Sequence, residues 1–202
     1  MHEPRLMPER DKYKHALGMV RLYQERILPF VEYRLGQAAR HELVAELLTA
    51  ITPIRGADPA DKKYAAAYRT WMWMARCTHD FLAERLRREE VAAYKRLLLQ
   101  QYTHQHDNTS LFIQRHLGNH EALTKAWTYQ MQWMTPLEIT CTSQTETICM
   151  VQNCKIRHLN QAIRICGVDC QNVGKALARN LYHLERINSI TDHTCTITLT
   201  AL

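Results

Sequence analysis

The feature that most constrains this fold is a change in the spacing of apolar residues near residue 127. Upstream of it, apolar residues recur every three or four positions, for example at Leu43, Leu47 and Ile51, which predicts amphipathic helices. Downstream, apolar and polar residues alternate, which predicts half-buried strands. We therefore expect an α+β fold, in which N-terminal helices pack on a C-terminal antiparallel sheet with two helices. The expected regions, 1–126 and 127–202, would form one compact domain.

Local signals in the first region set the expected helix boundaries. Pro29 interrupts a helical pattern and predicts a kink, because proline cannot donate the backbone hydrogen bond of that turn. Asp58 and Pro59 predict the start of a long helix, with the Asp58 side chain capping the exposed amide groups.

The second region is expected to be built mainly from strands. The alternation over residues 127–133 favours a strand, with a helix as the alternative. The segment 137–151 predicts a hairpin with a polar turn at 143–145. The remaining elements expected are two helices, over 155–165 and 173–182, and a closing strand pair over 184–190 and 195–199.

Composition excludes several classes of partner. The chain carries 26 Lys and Arg against 20 Asp and Glu, a net charge of +6. Its densest charge run, residues 84–90, mixes both signs, and no basic stretch with aromatic residues accompanies it, so we expect no nucleic-acid partner. No apolar run approaches the ~20 residues of a membrane helix. Seven cysteines, an odd number, and no apolar leader favour reduced thiols in the cytoplasm.

The order of features from Cys154 to Leu202 carries a family resemblance. A cysteine opens a predicted helix, a glycine break and a turn lead into a second helix, and two strands close the chain; the residues are Cys154, Cys166-Gly167-Val168, Asn172-Val173-Gly174, 184–190 and 194–197. This arrangement resembles the closing region of the L-2-amino-thiazoline-4-carboxylic acid hydrolase family. It covers about a quarter of the chain.

The resemblance implies a hydrolase that acts on a carbon–nitrogen bond of a small heterocyclic amino-acid derivative in a small-molecule pathway, without a cofactor. Two departures bear on that expectation. Ala178 lies where the family usually has a cysteine, and Thr196 replaces the aspartate that usually follows the final cysteine. The alternative is therefore a non-catalytic ligand-binding or partner subunit that has lost the activity. Both functions, the hydrolase and the non-catalytic subunit, are compatible with a homo-oligomer or with a complex with a pathway partner.

Hydrolytic opening of a cyclic amidine needs an attacking group, a proton donor for the leaving nitrogen, and a cation for the substrate carboxylate. Cys154 is the first candidate nucleophile, because a helix start beside Lys155, Arg157 and His158 would lower the pKa of its thiol. His158 would supply the acid or base. The further candidate thiols are Cys195 and Cys170. The alternatives are a buried apolar role for each cysteine and a solvent-exposed position for His158.

Two residues are candidate substrate contacts. Arg186 could clamp a carboxylate with two parallel hydrogen bonds, although an ion pair with Glu185 or Asp192 is the alternative. Asn180 is the second candidate, because it lies close to Ala178, where this chain departs from the family's usual sequence. We expect no metal, because the cysteines lack the paired Cys-x-x-Cys spacing of zinc sites. His120 is four residues from His116, but Gly118 lies between them, so a polar loop is the expected structure.

Overall fold

The computed structural model describes residues 5–105, 113, 117–135, 137–143, 145–152, 154, 156, 169–180, 183–190 and 194–201. These residues fall into two compact units, one spanning Pro8–Arg96 and one from Leu97 onward that also includes residues 5–7. The first unit is helical, and the second contains an antiparallel sheet with helices. The α+β class predicted from the change in apolar spacing is confirmed, with helices first and the sheet near the C-terminus.

The helical unit contains four helices, a π-helical segment and the first part of a fifth helix. The elements are α1 (Glu9–Leu22), the π-helical segment (Tyr23–Ile27), α2 (Leu28–Leu35), α3 (Gln37–Leu48), α4 (Ala60–Arg85) and α5 (Arg88–Gln105). A π-helical segment ends at Ile27, two residues before Pro29. Pro29 has no N–H to donate to the carbonyl of Glu25 one turn earlier, and this missing helical bond falls within the π-helical segment.

The core of the helical unit forms around α4. This helix is 26 residues long and buries residues on several of its faces, including Trp71 and Phe81, because α1 and α3 pack against it. Its start differs in detail from the prediction. Asp58 accepts a hydrogen bond from the backbone amide of Arg55 at 2.9 Å, and α4 has no side-chain cap. The carboxylate therefore stabilises the turn before the helix, and the cap assigned to Asp58 was wrong.

Among its described residues, the second unit combines the end of α5 with two further helices and four strands. The helices are α6 (His120–Met131) and α7 (Gln171–Asn180); the strands are β1 (Glu138–Thr142), β2 (Glu146–Val151), β3 (His183–Ile190) and β4 (Cys195–Ala201). The predicted hairpin and closing strand pair are confirmed, and the second predicted helix is present as α7. The other predicted helix, over 155–165, lies outside the described residues.

The strand predicted over residues 127–133 was wrong, because most of this segment belongs to α6. Trp127 and Met131, four residues apart, are both fully buried, which is the spacing of one helix face. The Trp127 indole N–H also donates to the backbone carbonyl of Gly174 in α7, at 3.2 Å. The apparent alternation arose because Tyr129, between these two positions, is aromatic but only half-buried.

All four strands are antiparallel, in the order β1-β2-β4-β3. On one face, Cys149 and Val151 of β2 lie opposite Ile197 and Cys195 of β4. All of these except Cys195 are buried, so this face forms the apolar core of the sheet. Thr147 belongs to the same face, because it lies two positions before Cys149 in β2.

Candidate functional site

A candidate site begins at the first turn of α6. Gly118 adopts a left-handed backbone conformation with φ 60°, which reverses the chain before the helix. The Asn119 side chain then accepts a hydrogen bond from the Ala122 amide at 3.0 Å and caps the helix. This glycine and cap place His120 at the first position of α6, where the helix meets the sheet.

His120 is joined to the sheet by buried hydroxyl groups. Its Nε2 lies 3.2 Å from the Thr147 hydroxyl, and that hydroxyl lies 3.4 Å from the hydroxyl of Thr124, one turn along α6. All three side chains are buried, with His120 8% exposed and Thr147 fully enclosed. Burial lowers the pKa of His120 from its ordinary value of 6.5. The ring is therefore a neutral imidazole at neutral pH, with one N–H and one lone pair.

A cleft of about 670 Å³ opens beside this histidine. Its walls come from the start of α6 and from the β1–β2 hairpin; the lining residues are Gly118, Asn119, His120, Glu121, Thr124, Lys125, Ile139 and Ser143. Ligand pockets in proteins range over about 300–1,000 Å³, so the cleft is large enough for a small metabolite. Most of its lining groups are polar or charged, while Ile139 supplies an apolar wall.

Two opposite charges stand at the mouth of this cleft. The Lys125 ammonium lies 2.6 Å from the Glu121 carboxylate, and both side chains are exposed. That contact holds the pKa of Glu121 below its usual value, so the carboxyl group is ionised at neutral pH. Because an exposed ion pair of this kind contributes only about 0–1 kcal/mol, a ligand can displace it at small cost.

The thiols predicted as catalytic lie elsewhere in the second unit. Cys154 is buried, at 5% exposure, three residues after the end of β2. Cys195 begins β4 and is half-buried, and Cys170 is half-buried immediately before α7. None of the three lines the cleft beside His120. Two other cysteines, Cys77 and Cys149, have pKa values raised by burial to about 12, which excludes them as thiolate nucleophiles at neutral pH.

The described backbone also locates the two predicted substrate contacts. Arg186 lies opposite Thr198 in the β3–β4 pair, whereas Cys195 lies opposite Val151 and Ile190. Thr198 and Cys195 are three positions apart in β4, so they belong to opposite faces of the sheet. Because Arg186 lies opposite Thr198, positions 186 and 195 are also on opposite faces. Asn180 is the last residue of α7. His158 lies outside the described residues.

Asp169 forms a second buried polar contact in this unit. Its carboxylate is fully buried and accepts a hydrogen bond of 2.6 Å from the Tyr102 hydroxyl near the end of α5. A charge-assisted hydrogen bond of this length is among the stronger ones in proteins. The pair fixes the backbone just before Cys170 and the start of α7.

The sequence pattern did not single out His120, because a polar loop was the expected structure around this residue. The local signal was present: Gly118 and Asn119 form a helix start as readily as a helix end, and Glu121 suits the first turn of a helix. The contact with Thr147, 27 residues away, had no sequence signal.

Within the ranges that the structure describes, no group of three or more His, Cys, Asp and Glu residues is placed to hold a metal ion. Among the described helices, none is long and apolar enough to cross a membrane. Comparison of the chain with protein-family models, curated proteins and solved structures finds no match.

Proposed function

We propose that this protein binds a small polar molecule of the amino-acid type in the cleft beside His120. The observation that carries the proposal is the combination of a cleft of about 670 Å³ with a buried histidine in its wall. A buried imidazole held by a hydroxyl group offers a fixed polar contact, which is the usual means by which a pocket orients its ligand.

The charges at the cleft mouth support a zwitterionic ligand. Lys125 can pair with a carboxylate and Glu121 with an amino or amidinium group, in place of their contact with each other. Ile139 offers an apolar surface to the body of the ligand. A small heterocyclic amino-acid derivative, the substrate class implied by the family resemblance, has all three features.

The test is a calorimetric titration with L-2-amino-thiazoline-4-carboxylic acid as the probe. Lys125→Ala should weaken binding by up to about fivefold, since it removes one exposed charge contact of at most about 1 kcal/mol. The matched control is Lys14→Ala, because Lys14 also forms a short helical ion pair and is 61% exposed, against 60% for Lys125. The control should bind as the wild type does. A dissociation constant of ~1 mM marks weak binding, so absence of binding by the wild type at ~1 mM probe would contradict the proposal.

A second candidate function is thiol-dependent hydrolysis of the same class of molecule. The observation in its favour is that Cys170, in the π-helical turn that leads into α7, is a thiol that is only half-buried and therefore accessible. In the net reaction one water is consumed, the ring carbon–nitrogen bond breaks, and the leaving nitrogen takes up a proton.

The two candidates give different results when the probe is followed by NMR. Hydrolysis predicts loss of the ring signals, abolished by Cys170→Ser or by substitution of Cys195 or Cys154. Binding without catalysis predicts that the probe stays intact while its signals broaden or shift. A turnover that survives all three Cys→Ser substitutions would reject the thiol mechanism.

A further inference from the structure

The hydrogen-bond chain from His120 through Thr147 to Thr124 has a direction. Each threonine hydroxyl has a single proton, and the neutral imidazole also has a single N–H. If the His120 Nε2 donates to Thr147, then Thr147 can donate to Thr124, and the Thr124 hydroxyl is left to donate into the cleft. In the opposite direction, Thr124 donates to Thr147, Thr147 donates to Nε2, and the imidazole proton resides on Nδ1.

Two observations favour the first direction. The Nε2–Oγ1 distance of 3.2 Å lies within the range for an N–H···O bond. In the cleft, the Glu121 carboxylate stands beside the Lys125 ammonium, and the amide groups of the amino-terminal turn of α6 add donors that favour an acceptor on the part of the ligand nearest Thr124. An acceptor on the ligand requires Thr124 to donate.

We propose that Thr147 is a positioning residue that holds His120 in the Nε2–H tautomer, so that the Thr124 hydroxyl donates into the cleft to an acceptor group of the ligand. The statement about the ligand rests on the proposed binding function, whereas the tautomer is a property of the ligand-free protein. Thr147 is suited to this role because it lies in β2, a central strand paired on both sides, and is fully enclosed.

The proposal depends on a hydroxyl group and not on the shape of the side chain. Thr147→Val keeps the volume and branching and removes the hydroxyl, while Thr147→Ser keeps the hydroxyl. Thr135→Val is the matched control, because Thr135 is a buried threonine of the same unit whose hydroxyl has no hydrogen-bond partner among the described residues. A role in packing alone would predict the same result for Thr147→Val and Thr135→Val.

The experiment is nitrogen-15 NMR of the histidine side chains in the full-length, ligand-free protein at neutral pH, which distinguishes the two tautomers directly. We expect the Nε2–H form of His120 in the wild type, in Thr147→Ser and in Thr135→Val, and a mixture of tautomers in Thr147→Val. Binding of the amino-thiazoline acid should weaken about fivefold in Thr124→Val, which removes the donor itself, the equivalent of one neutral hydrogen bond of about 1 kcal/mol, and recover in Thr124→Ser.

Each outcome is decisive. The Nδ1–H form in the wild type would overturn the proposal without any variant, so the test stands even if Thr147→Val does not fold. An unchanged tautomer in a folded Thr147→Val protein would also overturn it. A wild type in the Nε2–H form that does not bind the probe would support the tautomer assignment and count against the proposed function alone.

Discussion

Two buried histidines, one in each unit, show how differently the two parts of the molecule use the same side chain. In the helical unit, His79 is 6% exposed and lies between two tyrosines, with its Nε2 3.4 Å from the Tyr23 hydroxyl and its ring edge-on to Tyr94. In the second unit, His120 is equally buried but contacts threonine hydroxyls and lines a cleft. The comparison shows that burial alone does not mark a functional histidine.

The difference extends to the rest of each unit. The helical unit forms its core mainly from aromatic and aliphatic side chains around α4, and the rings of Tyr64, Tyr68 and Trp71 pack edge to face. The second unit encloses several polar groups in hydrogen-bonded pairs and chains, including Asp169 with Tyr102, while the buried Thr135 hydroxyl has no partner among the described residues. Because buried polar groups cost stability unless they are satisfied, networks of this kind are more often found where a protein needs fixed polar geometry.

The largest expected effect is on the core of the second unit. Trp127→Ala removes a fully buried indole that joins α6 to α7, and it should lower the free energy of unfolding by about 3–5 kcal/mol. Trp73→Ala is the control from the helical unit, where the indole is only half-buried and a smaller loss is expected. Urea unfolding measures both. If Trp127→Ala cost less than Trp73→Ala, the packing described between α6 and α7 would be incorrect.

A smaller effect is expected at the turn between α2 and α3. Gly36 has φ 89° and ψ 168°, a conformation that is accessible almost only to glycine, so Gly36→Ala should cost about 1–3 kcal/mol. Gly18→Ala, in the middle of α1 and with open space for a methyl group, should instead stabilise the protein by about 0.5–1 kcal/mol. The opposite signs separate backbone strain from the general effect of adding a methyl group. Equal effects on the thermal midpoint would reject the assignment at Gly36.

The sequence predicted those parts of the fold that depend on local signals. The β1–β2 hairpin follows from alternation on either side of Ser143, whose hydroxyl accepts the amides of Thr145 and Glu146 in the turn. Residues 127–133 were assigned incorrectly because helical and strand patterns coincide over so few residues. Packing against α7, through Trp127, selects the helix there.

The candidate site was much harder to predict than the fold. The thiols were chosen from their immediate neighbours in the sequence, such as the charges after Cys154, but the burial of that residue depends on tertiary packing. The His120 site combines the first turn of α6 with a strand 27 residues away. No spacing rule connects a histidine to a threonine across an intervening hairpin strand, so only the folded structure brings them together.

The smallest expected effect is a pH dependence of stability. Burial lowers the pKa of His120, and also that of His15 in the helical unit, so the unfolded chain binds protons at these sites at a higher pH than the folded protein does. The free energy of unfolding should therefore fall as the pH drops below about 6.5, and level off below the folded-state pKa values. His120→Gln and His15→Gln should each reduce this dependence, and the double variant should reduce it further. His41→Gln, at an exposed position of α3, controls for the replacement of a histidine by glutamine as such.

We expect the ligand to bind in the cleft beside His120 and not in the aromatic environment of His79. The test is a titration of the full-length protein with L-2-amino-thiazoline-4-carboxylic acid, followed through the side-chain NMR signals of all its histidines. We expect the His120 signals to shift progressively to saturation while the His79 signals stay in place. Movement of the His79 signals without His120, or no movement of either at ~10 mM probe, well above a 1 mM dissociation constant, would contradict the account.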